Sequence, residues 1–299
     1  MLDTPTSTLG TVPQHSDLYF ETELRPLYSG IYKYGEREYH RAGKSVGVFR
    51  TDTDQYLGHH KENSYTLVDN QAFFGGIENA LFHKFGDIPI KRKDSTSFNG
   101  ARCSREWIFP TLKTELKSGS SVSIINFRSI GRNCFDGSSR CQIITGEIDG
   151  YCSNGMITGS YDASSRKRTS GFDLTSLLSS VDQALETYDS SVKVYQKWAE
   201  SQIMVPYVKA FFDSLKGVGE RKADKFMDQY AKEAANRGQN LWAVVSALTA
   251  YASHSSERFP TRDTGNNHWN ETLLTRQFEV KKWLSSQSFR HLEQHAALV

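Results

Sequence analysis

Lysine and arginine gather between Ile88 and Arg168, where 13 basic residues stand against 7 acidic ones, a net of +6. The triplets Lys91-Arg92-Lys93 and Arg166-Lys167-Arg168 lie at the two ends of this block, with Arg128, Arg132 and Arg140 between them. A local excess of this kind attracts polyanions at long range, and the chemistry it suits is the holding of phosphates. The rest of the chain does not share the excess. Gly171 to Val299 carries 15 basic and 15 acidic residues, and the whole chain has a formal charge of only +2.

A second cluster mixes rings with cations. Tyr28, Tyr32, Tyr34 and Tyr39 alternate with Arg25, Lys33, Arg37, Arg41 and Lys44. Bases stack on aromatic rings while cations follow the backbone, so this interleaving suits single-stranded nucleic acid. The same tyrosines would equally suit a half-buried strand. Farther on, Leu215-Lys216-Gly217-Val218-Gly219-Glu220-Arg221-Lys222-Ala223 resembles the hairpin of helix-hairpin-helix modules. In those, two glycines let backbone N–H groups approach a phosphate at the start of the next helix. Lys216, Arg221 and Lys222 would add charge there; an ordinary helix–helix connection is the alternative.

Signals for covalent chemistry are sparse. Ala42-Gly43-Lys44-Ser45 looks like the end of a phosphate-binding loop, but Glu38 stands where its first glycine belongs. Glu147 and Asp149 would share one face of a strand. With Asp136 they could form a metal-dependent nuclease site, yet no Lys or His completes it. His59, His60, His83, His254, His268, His291 and His295 follow no zinc spacing. These residues favour binding over catalysis, with no cofactor and no metal.

The elements that must position these residues change character once. Ser45–Phe49, Ser64–Val68, Ser121–Phe127 and Cys141–Ile148 read as strands bounded by Gly, Asn and Asp, as in an antiparallel meander. Asp136-Gly137 and Asn154-Gly155 are strong turn signals. One helix, Gln71–Phe85, interrupts the strands with Phe74, Ile77, Leu81 and Phe85 on one face. After Thr169-Ser170-Gly171 the period becomes helical: Leu174 to Leu185 with Asp173 as N-cap, Val192 to Ile203, Leu241–Tyr251 and Leu273–Leu284. The expected fold is α+β, an antiparallel β-rich part with one packed helix followed by a helical part. The expected organisation is a flexible leader over 1–20, a basic β-rich domain over 21–170 and a helical region over 171–299. The four cysteines, Cys103, Cys134, Cys141 and Cys152, form no CxxC pair and read as reduced thiols. With neither a secretory signal nor an apolar span, a cytoplasmic location is expected.

Asn126, Asp136-Gly137-Ser138-Ser139 and Cys152-Ser153-Asn154-Gly155, with Tyr65 to Asn70 before them and Asn240-Leu241-Trp242 to His254 after them, resemble the signature of a phage- and plasmid-borne family. It is the domain-of-unknown-function family nine-three-two. That resemblance implies a mobile-element origin in a bacterial host cell and supplies no activity. A second resemblance, of architecture alone, is to the single-strand annealing proteins of phage recombination, which form rings and filaments. Together these give the expectation of a homo-oligomer that binds single-stranded DNA, with annealing or recombination as its setting. Its contacts would be Lys91, Arg92, Lys93, Arg128, Arg132, Arg140, Arg166, Lys167, Arg168, Lys216, Arg221 and Lys222. A metal-dependent nuclease and a protein–protein interaction module are the rival readings.

Overall fold

Burial alternates residue by residue along the longest strand, and that alternation sets the architecture. The computed structural model describes residues 6–8, 17–139, 141–149, 155–162, 180–254 and 269–296. Strands β1 (Thr6–Thr8), β2 (Thr22–Lys33), β3 (Glu36–Arg50), β4 (Tyr56–Lys61), β5 (Pro89–Ser97), β6 (Arg102–Ser118), β7 (Ser121–Cys134), β8 (Gln142–Asp149) and β9 (Gly155–Asp162) form two antiparallel sheets. One is six-stranded, in the order β1-β5-β6-β7-β8-β9; the other is three-stranded, in the order β2-β3-β4.

Along β6, Cys103, Arg105, Trp107 and Phe109 are buried, while Ser104, Glu106 and Ile108 between them are half-buried. Successive side chains leave opposite faces of a strand, so one face of the large sheet is covered and the other stays partly open. The covering element is helix α1 (Asn70–Phe85), which lays Phe74, Ile77 and Leu81 over Trp107, Phe127 and Ile143. Asp69 caps it, its side chain accepting from Ala72 N at 2.6 Å. Such a cap stabilises a helix by about 1 kcal/mol. The helix stops at Gly86, whose φ of 73° suits a residue without a Cβ.

The second half is helical: α2 (Ser180–Glu200), α3 (Val205–Asp213), α4 (Glu220–Arg237), α5 (Leu241–His254), α6 (Trp269–Leu284) and α7 (Gln287–Ala296). Helix α5 is apolar nearly all round and buried from Leu241 to Ala250, as a central helix must be. Phe212, Phe226, Trp283 and Phe289 surround it, and the same core takes in Leu116, Ile125 and Met156 from the sheet. The helices therefore share an apolar core with part of the sheet, distinct from the cluster beneath α1.

The fold is α+β, antiparallel sheets first and helices after, as the patterning implied. The expected strands at 45–49, 121–127 and 141–148 fall in β3, β7 and β8, and the expected helices at 71–85, 241–251 and 273–284 in α1, α5 and α6. Ser64–Val68 is not a strand. Ser64 N turns back to Lys61 O, the Tyr65 ring stacks on His60 at 3.6 Å between centroids, and the chain runs on into the α1 cap. Within 1–20, Thr6–Thr8 pair with β5, and Leu18 and Phe20 are buried. Asp173 and Leu174–Leu178 lie outside the described residues. Cys103, Cys134 and Cys141 are buried thiols outside any disulfide. Among the described residues no helix is long and apolar enough to cross a membrane.

Candidate nucleic-acid interface

Strands β2 and β3 change environment at a bulge. Pro26 pairs with Val46 but Tyr28 pairs with Arg41, so Ala42–Ser45 bulge out opposite Leu27, with Gly43 at φ 58°. Below the bulge Val46 and Val48 are buried; above it every β3 residue from Glu36 to Arg41 is exposed. The two strands meet at Tyr34 (φ 51°) and Gly35 (φ 87°), a two-residue turn with both φ angles positive, which matches strand twist. Six residue pairs thus form a two-stranded arm roughly 20 Å long, at about 3.4 Å per residue.

Register decides what the arm presents. Tyr28 opposes Arg41 and Gly30 opposes Tyr39, which puts Tyr28, Arg37, Tyr39 and Arg41 on one face. Glu36, Glu38 and His40 take the other, where Glu38 Oε2 lies 3.3 Å from His40 Nε2. Gly30 leaves room for the Arg37 and Tyr39 side chains to cross it, and the Arg37 guanidinium sits 5.7 Å from the Tyr39 ring centre. Tyr28 and Tyr39 are 61% and 64% exposed. Arg41 also reaches Glu62 at 2.7 Å. Exposed pairs of that kind are worth about 0–1 kcal/mol, so a phosphate can replace the carboxylate at small cost. The arm's root is fixed to the large sheet: His60 Nε2 donates to the Phe135 carbonyl at 2.6 Å, and the Arg50 guanidinium covers the Phe20 ring.

The basic block is sorted by the sheet. Lys91 pairs with Ile108 and that with Arg128; Lys93 with Glu106 and that with Ile130; Ser95 with Ser104 and that with Arg132. Lys91, Lys93, Arg128 and Arg132 therefore share the partly open face. Lys93 is exposed, Lys91 and Arg132 are half-buried, and Arg128 is buried against Glu106 (2.7 Å), the Met156 carbonyl (3.0 Å) and Gln277 (2.7 Å). Arg92 points to the opposite face and pairs with Glu78 of α1. Arg140, Arg166, Lys167 and Arg168 lie outside the described residues.

The glycine hairpin joins α3 to α4. Gly217 has φ 80°, Gly219 is the N-cap of α4 with no side-chain cap bond, and the space over both glycines is open. Lys216 and Arg221 are exposed. Lys222 is drawn inward: its ammonium lies 4.5 Å from the Tyr251 ring centre and 5.2 Å from that of Trp283.

The carboxylates of the nuclease reading are each engaged by a different partner. Asp136 accepts from Arg102 Nε at 2.7 Å and from Ser138 N at 2.9 Å. Burial raises its pKa, but the Ser138 and Arg102 hydrogen bonds outweigh this and hold it below the usual carboxylate value. Glu147, fully buried, accepts from the Tyr195 hydroxyl at 2.8 Å, and Asp149 pairs with Arg237 at 2.9 Å. Among the described residues no group of three His, Cys, Asp or Glu is placed to hold a metal ion. Two arrangements escaped the sequence reading. Asn70 and Asn133 form a buried pair at 2.8 Å, and Arg105 is buried between Asp94, Glu78 and Tyr19. Each joins residues from separate elements, so only strand register could have revealed it.

Two antiparallel sheets, a helical layer and an exposed arm with a basic aromatic face make up an α+β protein. Residues 59–276 match the family described as Domain of unknown function (DUF932), and the chain belongs to that family. The basic sheet face and the glycine hairpin fall inside the matched region, and the arm precedes it. No curated protein and no solved structure matches the chain.

Proposed function

We propose that this protein binds single-stranded nucleic acid, DNA foremost, in the cytoplasm of a bacterium that carries a phage or similar element, and that it serves strand annealing or recombination as a homo-oligomer. The observation that carries the reading is the division of the arm into two faces, with Tyr28, Arg37, Tyr39 and Arg41 on one and Glu36 and Glu38 on the other. Two exposed rings share one face with two guanidiniums, Tyr28 opposite Arg41 and Tyr39 between Arg41 and Arg37, and this interleaving suits bases stacked among phosphates. Bases would stack on Tyr28 and Tyr39, each worth about 1–3 kcal/mol, while Arg37 and Arg41 hold phosphates. Lys91, Lys93 and Arg132 on the sheet face, and Lys216 and Arg221 beside the open glycines, would extend the phosphate path. Binding needs no bond to form or break. The separate engagement of Asp136, Glu147 and Asp149 supports this reading over the nuclease.

A mobility-shift titration of labelled oligothymidylate, with and without Mg²⁺ and over a range of salt, is the test. The expected result is a shift that weakens steeply with salt, with the DNA intact in both lanes. Metal-dependent cleavage lost in Glu147→Ala, or no shift even at low salt, would reject the proposal in favour of the nuclease or a protein-binding role.

A further inference from the structure

A cavity of about 210 Å³ lies between β9, α2 and α6, away from the arm. Its walls are largely apolar, with Trp198, Val280 and Leu284 among them, and Val194, 41% exposed, is also part of the lining. Tyr195 turns its hydroxyl away to the buried Glu147, so the phenol is already used as a donor. Ser191 and Ser285 add hydroxyls that can donate or accept, and the remaining polar side chains of the lining are donors. Lys281 offers only donors, and among the described residues its ammonium has no salt-bridge partner. Gln277 spends its Oε1 on Arg128 at 2.7 Å, which leaves its amide N–H₂ as a second donor at the wall. Burial holds the Lys281 pKa below the ordinary lysine value, although Glu147 pulls it the other way. An incompletely compensated ammonium in a partly apolar cleft marks a binding site rather than a structural ion pair.

Donors converging in an apolar cavity call for a ligand rich in acceptors at one end and greasy at the other. The volume, below the 300–1,000 Å³ or so of drug-sized pockets, calls for a small one. We propose that this cavity binds a small organic anion, its carboxylate on Lys281 and Gln277 and its aromatic or branched body against Trp198 and Leu284.

Isothermal titration of the full chain with 2-naphthoate and with its neutral counterpart 2-naphthamide tests this. The expected result is one saturable site that prefers the carboxylate by about tenfold or more, in line with a hydrogen bond to a charged group. Lys281→Met should erase the preference, Lys281→Arg should keep it, and Val194→Trp should block both ligands by filling the cavity. Thermal melts confirm that each variant is folded, and Val194→Trp alters an exposed position, so it reports even if the Lys281 variants do not fold. Absence of saturable naphthoate binding, an unchanged preference in Lys281→Met, or unchanged binding in Val194→Trp would each overturn the proposal. Oligothymidylate binding by the same variants should match that of the wild type, which keeps this site separate from the arm.

Discussion

Gly58 and Gly155 are small because other groups pass where a side chain would stand. A Cβ on Gly58 would lie 2.5 Å from Asp136 Cα, and one on Gly155 would lie 2.6 Å from the Arg128 guanidinium. Backbone cannot yield easily at the first, and at the second the neighbour is already fixed by Glu106 and Gln277. Gly58→Ala and Gly155→Ala should therefore each cost about 1–3 kcal/mol, read as a lower denaturation midpoint, whereas alanine at the open Gly75 should not. Asp136 sets a pH dependence. Its folded-state pKa is depressed, so its ion pair with Arg102 contributes stability above the ordinary carboxylate pKa and loses it as pH falls through the folded value. Asp136→Asn should flatten that acid limb of the stability profile, measured by urea unfolding at a series of pH values. The Asp136-Gly137 turn was legible from its residue types, and Gly137 indeed has φ 74°. The partnership of Asp136 with Arg102 was not, because it depends on which strands become neighbours.

Elements were legible where a single period governed them. The stripe of Phe74, Ile77 and Leu81 marked α1, and the long apolar run marked α5. Ser64–Val68 has strand-like residues but no partner edge, since β4 has ended at Lys61 and the cap of α1 begins at Asp69. The basic block shows the same limit. A charge count cannot tell that Lys91, Lys93, Arg128 and Arg132 share a face while Arg92 takes the other, because parity relative to a partner decides it. That sorting leads to a prediction for the elements. Lys91→Gln with Lys93→Gln should weaken oligothymidylate binding and lower the salt slope by about two, whereas Arg92→Gln should chiefly destabilise the fold by taking from Glu78 one of its two arginine partners. Lys216→Gln with Arg221→Gln tests the glycine hairpin in the same way. An unchanged salt slope there would make the hairpin a plain helix connection.

At the scale of the whole molecule, a large sheet covered by α1 on one face shares a separate core with the helical half, and this body carries an arm whose two faces differ in charge. Within this body Asn70, Asn133 and Asp136 hold strands, loop and helix together. The proposed function places the contact with single-stranded DNA on the arm. Fluorescence anisotropy of labelled oligothymidylate, comparing the wild type with Tyr28→Ala/Tyr39→Ala at fixed salt, tests that claim most directly. At 1–3 kcal/mol per stacked base the double variant should bind at least about tenfold more weakly with an unchanged salt slope and an unchanged melt. Equal affinity for both proteins would contradict it.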